Sequence, residues 1–74
     1  MTLLNANLGQ TVSVVGLTAE GLVRRRLLDL GFTPGARVDV LHRSPMGDPV
    51  AYRVRGATIA LRGVDANQVL VREK

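Results

Sequence analysis

Val50-Ala51-Tyr52-Arg53-Val54-Arg55-Gly56-Ala57-Thr58-Ile59-Ala60-Leu61 is the stretch that decides the fold. On both sides of its glycine the apolar side chains recur at every second residue, the period of a half-buried strand and not of a helix. Val50, Tyr52 and Val54 share one face; Arg53 and Arg55 take the other. With Gly56-Ala57 read as a two-residue hairpin, Val54 stands opposite Ile59 and Tyr52 opposite Leu61. In that register Arg53 faces Ala60, Arg55 faces Thr58 and Arg62 faces Ala51. Every large apolar side chain then lies on one side of the hairpin, and three cations alternate with small residues on the other.

Upstream, Ala36 to Arg43 alternates in the same way, with Ala36, Val38 and Val40 inward and Arg37, Asp39 and Arg43 outward. His42 falls on the inward parity near the strand end, where it reads as a satisfied structural histidine. The turn formers of Ser44-Pro45-Met46-Gly47-Asp48-Pro49 force a reversal between the two strands. Before them, Thr11 to Val15 reads as a β-branched strand with Val12 and Val14 on one face.

Ala19 to Leu30 is the one helix expected, with Thr18 as N-cap, Gly31 as the residue that ends it and Pro34 beyond. At about 100° per residue, Leu22, Val23, Leu27 and Leu30 fall within one apolar arc. Glu20 with Arg24 and Arg25 with Asp29 have the spacing of ion pairs. Arg26 projects into the arc, so its stem should cross the core and bring the guanidinium to a carbonyl or carboxylate at the edge. Phe32 should fold back onto the helix. Downstream, Asp65 is expected to cap a single turn through Gln68, and Val69-Leu70-Val71 forms the last strand. The later links are too short for parallel crossovers. The expectation is therefore a mainly-β fold, a small five-stranded antiparallel barrel with one inserted α-helix, closed so that no edge is exposed.

The length of 74 residues suits a single domain, residues 1–74. Phe32 and Tyr52 are the only aromatics, so the core has to come from Val, Leu, Ile and Ala. Without cysteine there is no disulfide scaffold, thiolate metal site or thiol nucleophile. No apolar run approaches the roughly 20 residues of a membrane span, and the N-terminus lacks the pattern of a signal peptide, so a cytoplasmic protein without membrane insertion is expected.

A lone His42 and the scattered Asp39, Asp48 and Asp65 do not make a metal site. No nucleophile stands with a base, no glycine-rich loop precedes a lysine and no acid pair is apparent, so catalytic residues, cofactors and metal ligands are all expected to be absent. The net charge is +4, and nine of the ten cations are arginine. Arg53, Arg55 and Arg62, extended by Arg37 and Arg43, read either as a solvated exterior or as a docking face for an acidic protein surface. Met46 at the loop tip, and the helix face around Arg24 and Arg25, are further candidate contacts. Nucleic acid is not expected, because oligonucleotide-binding barrels stack bases on aromatics and this chain has only two.

Arg26-Leu27-Leu28-Asp29-Leu30-Gly31-Phe32-Thr33-Pro34-Gly35, the valine strand, Pro45-Met46-Gly47-Asp48-Pro49, Val54-Arg55-Gly56 and Ala60-Leu61-Arg62 together resemble the FeoA family of ferrous iron transport accessory proteins. The resemblance runs from about Leu4 to Val71. It implies an SH3-like barrel with an extra helix between the first two strands. It also implies a cytosolic, non-enzymatic adaptor for the permease FeoB, whose soluble region includes a GTP-binding domain. The same domain type ends iron-dependent repressors of the DtxR kind, so a detached sensor module of a transcription factor is the alternative. Between Met1 and Lys74 only one helix is expected, which leaves no helix-turn-helix to read a major groove. Neither the docking surface nor the oligomeric state follows from the sequence.

Overall fold

The computed structural model describes residues 1–74. Five antiparallel strands form one curled sheet: β1 (Thr11–Leu17), β2 (Arg37–Arg43), β3 (Val50–Val54), β4 (Ala57–Leu61) and β5 (Val69–Glu73), in the order β4-β3-β2-β1-β5. The helix α1 (Gly21–Leu30) is inserted between β1 and β2, and a single helical turn, α2 (Gly63–Ala66), joins β4 to β5. β4 and β5 do not pair, so the sheet curls without closing. The inward valines of β1, β2, β3 and β5 meet Leu3, Leu27, Phe32, Tyr52 and Leu61 in one buried cluster. The N-terminal Leu3, which the sequence reading passed over, is fully buried at the base of a 3-10 turn spanning Leu3–Asn5.

The hairpin is antiparallel with the expected faces, but its turn sits one residue earlier. Arg55 and Gly56 form it, both with positive φ (51° and 79°), the conformation of a type I′ turn. Val54 therefore pairs with Ala57, Tyr52 with Ile59 and Val50 with Leu61, while Arg53 faces Thr58 and Ala51 faces Ala60. The strands have slid by two residues relative to the expected register. A one-residue slip would have turned the core face outward, whereas two residues preserve it. Arg55 and Arg62 consequently leave the ladder, one into the turn and the other to the residue just before α2.

A bulge corrects His42. Val40 pairs with Tyr52 but His42 with Ala51, so Leu41 is the extra residue on β2. Beyond a bulge the alternation reverses, and His42 emerges exposed on the outer face.

The helix is shorter and less buried than its periodicity predicts. Thr18 does not cap it: the Thr18 N–H donates to the Gln68 carbonyl at 2.9 Å, and Ala19 is still buried in the core, which holds the chain against the β5 end of the sheet. Glu20 is the last extended residue and makes no side-chain cap bond. Within α1 only Leu27 is fully buried, with Leu28 and Leu30 partly so; Leu22 is 86% exposed and Val23 is exposed as well. The strand valines supply most of the core, and Leu27 near the end of α1 with Phe32 just past it complete the cluster. The spacing-based pairs of Glu20 with Arg24 and Arg25 with Asp29 do not form. Arg26 instead reaches Asp65 of α2 at 3.3 Å, the carboxylate contact expected of it, although its side chain stays 60% exposed and its stem does not cross the core; Asp65 lies inside α2, where Arg62 holds the N-cap position, and so does not cap the turn. Gly31 ends the helix in the left-handed conformation, with its N–H on the Leu28 carbonyl.

Candidate functional site

On the outer face, β2 presents Arg37 and Asp39 and β3 presents Arg53. The β3–β4 turn adds Arg55 and Gly56. With Ala36 they line an open hollow of about 360 Å³. Asp39 accepts from the Thr11 hydroxyl at 2.8 Å and from Arg37 Nε at 3.3 Å. The Thr11 hydroxyl above all holds the Asp39 carboxyl below its ordinary value; desolvation opposes it, and the Arg37 and Arg53 guanidinia add to the lowering. Three guanidinium charges against one carboxylate leave the hollow with a net charge of +2. Arg53 makes no ion pair.

Arg55 plays two parts. Its Nη2 donates to Thr33 Oγ1 at 2.8 Å and its Nε to the Gly31 carbonyl at 3.4 Å, so the hairpin turn is tied to the end of α1. Gly31 makes room for this: a Cβ there would stand 2.9 Å from Arg55 Cδ. Sequence reasoning missed the tie, because it rests on the turn being at Arg55-Gly56.

Of the candidate contacts, Arg53 and Arg55 come together at the hollow, while Arg62, Met46, Arg24 and Arg25 do not line it. Met46 stands 90% exposed at the tip of a loop braced below it. Ser44 Oγ donates to the Asp48 carbonyl at 2.8 Å, and the Gly63 N–H donates to Asp48 Oδ1 at 2.6 Å, linking the loop to α2. Arg24 and Arg25 lie exposed on α1. A second open hollow, of about 310 Å³, lies between this loop and the far ends of β2, β3 and β4, where His42, Ala51 and Ala60 meet Pro45 and Pro49. His, Asp and Glu side chains nowhere gather in a group of three that could hold a metal ion. No helix is long and apolar enough to cross a membrane.

What this arrangement offers is a cationic concavity for carboxylate or phosphate groups, with Asp39 held on its Thr11 and Arg37 partners. Among known proteins, the chain is 32% identical over 71 residues to the Fe(2+) transport protein A/Fe(2+) transporter FeoB fusion protein of Porphyromonas gingivalis, matching 96% of this chain and 8% of that much longer protein. The FeoA protein of Chlorobium tepidum superposes over 99% of this chain and 70% of its own, with a TM-score of 0.91 and 36% identity. The zinc-complexed FeoA of Stenotrophomonas maltophilia, a prokaryotic SH3 domain protein, does so over 97% and 89%, with a TM-score of 0.87 and 32% identity. A manganese-dependent transcriptional repressor has the same fold in 41% of its chain, at 21% identity, a likeness that concerns the fold alone. The FeoA domain family matches residues 1–73, and with an SH3-like sheet of this topology over that whole span the chain belongs to the FeoA family.

Proposed function

We propose that this chain is a non-enzymatic accessory protein of ferrous iron uptake that works in the cytoplasm, binding the soluble region of a FeoB-type permease and modulating transport. The observation that carries the reading is the Porphyromonas gingivalis protein in which a homologous domain is part of the same polypeptide as a FeoB transporter. Covalent linkage keeps two modules at a high effective concentration, which is useful when their contact is weak and must be made repeatedly. The cationic hollow around Arg37, Arg53 and Arg55 supports an acidic docking partner, since complementary charge steers encounter and fixes orientation.

Deleting the chain should lower ferrous iron uptake through the permease, and unchanged uptake would refute the accessory role. A titration of the chain against the soluble permease region tests the contact itself. Wild type should bind and Arg53→Glu should bind more weakly. Equal affinity for both would return Arg53 to the role of a solvated surface residue.

A further inference from the structure

The sheet has two edges, and they are treated differently. The outer side of β5 is covered by the N-terminus: Thr2 bridges to Leu70, the Val71 N–H donates to the Met1 carbonyl at 2.8 Å, and the Met1 amino group donates to the Val71 carbonyl at 3.3 Å. Nothing equivalent covers β4. In a two-residue hairpin the pair flanking the turn, here Val54 and Ala57, exchanges both hydrogen bonds. Ala57, Ile59 and Leu61 therefore bond to β3, while the N–H and C=O groups of Thr58 and Ala60 point to the open side. No backbone bond outside the ladder uses either residue.

Proteins ordinarily blunt such an edge with proline, charge, a bulge or a covering segment. β4 has none of these, because Ala57-Thr58-Ile59-Ala60-Leu61 is uncharged, lacks proline and pairs with β3 without interruption. Ala57, Thr58 and Ala60 are small and exposed. Cations bracket the strand instead, with Arg55 in the turn and Arg62 just past its end. Two copies pairing β4 to β4 about a two-fold axis would bring Arg62 of each toward the turn of the other, and like charges across strands are destabilising. The same brackets attract an anionic segment.

Resting on the reading of this chain as a partner of the permease, we infer that the free edge of β4 receives an extended, acidic segment of that partner as a sixth strand. The outer face sets the side-chain pattern. A residue placed beside Thr58 has Arg53 next in the row, and a carboxylate there meets a guanidinium that has no other ion pair. The residue two positions along lies beside Ala60, at the mouth of the hollow formed by Ala51, His42, Pro45 and Pro49, which suits a small or apolar side chain. Backbone bonds supply the affinity, and the acidic-then-apolar alternation supplies the selectivity.

Amide hydrogen exchange of the chain, alone and with the soluble permease region, tests this. In the complex the Thr58 and Ala60 amides should exchange at least about tenfold more slowly. Ala60→Pro removes an N–H that the β3 ladder does not use, so the fold should be retained. Loss of an edge hydrogen bond together with the steric block should weaken binding about tenfold. Should the wild type bind while both edge amides exchange as in the free chain, and Ala60→Pro bind equally well, the edge is not the site and the partner reading stands. If the wild type does not bind, both fall. Because exchange is read on the wild-type chain, the result does not depend on the proline variant folding.

Discussion

Gly31 shows how much one residue without a side chain decides in this protein. It ends α1 at a φ of 111° and leaves room for the Arg55 stem that ties the hairpin turn to the helix. Gly31→Ala combines backbone strain with a steric conflict and should destabilise by about 1–3 kcal/mol, read as a lower urea midpoint at unchanged slope. The same substitution in an Arg55→Ala background should cost less, because only the strain remains, and a double-mutant cycle measures the difference. Tyr52 makes a separate prediction. Burial pushes its phenol above the ordinary 10.0, since the ionised form is poorly solvated in the core. The folded state thus favours the neutral phenol, a preference fully present below pH 10.0 and lost as pH rises through the folded-state value. As this is the only tyrosine and there is no tryptophan, tyrosinate absorbance reports it alone. Ionisation should begin later than in a denatured sample and coincide with loss of structure.

At the scale of the element, α1 departs most from what its sequence suggests. Periodicity puts Leu22 and Leu27 on one arc, yet the first is almost fully exposed and the second fully buried. Leu27→Ala should cost about 2–5 kcal/mol, the range for a buried leucine leaving a cavity. Leu22→Ala should stay within about 0.5 kcal/mol of wild type. Denaturant unfolding of the two variants side by side checks the contrast, and equal losses would mean that the N-terminal half of α1 packs in solution. The Arg26–Asp65 pair links α1 to α2 but Arg26 is well exposed, so Arg26→Ala should change stability by less than about 1 kcal/mol.

For the whole molecule, charge and sheet edges are the properties on which the proposed docking rests. The net charge is +4 and Arg37, Arg53 and Arg55 line one hollow, so the proposed binding to the soluble permease region should weaken with salt, as the screening length falls from about 10 Å at 0.1 M to about 3 Å at 1 M. Arg53→Glu should flatten that dependence and act mainly on the association rate, with stability nearly unchanged. Surface plasmon resonance at several ionic strengths measures both. Arg55→Glu is expected to differ, because Arg55 also holds the turn to Gly31 and Thr33, so its effect on binding has to be read beside its effect on folding.

Side-chain alternation is a local property of a strand, and it sufficed to establish which faces of the hairpin are apolar; the shortness of the links established that the strands run antiparallel. The outward Arg37 and Arg53 were legible for the same reason, and the stop at Gly31 was legible from the glycine itself and Pro34 beyond it. What the sequence left open depends on residues far apart in the chain. The turn falls at Arg55-Gly56 in the structure that ties Arg55 to Thr33 and Gly31, and a slip of two residues is invisible to a pattern of period two. The bulge at Leu41, which reverses the alternation and sends His42 outward, follows from the curl of the sheet and leaves no mark in composition. The exposure of Leu22 follows from how little of the core the strand valines leave for the helix to cover. Likewise, only the pairing of β2 with β3 brings Arg37, Asp39 and Arg53 around one hollow, and only the docking of the N-terminus along β5 reveals that β4 is the edge left open.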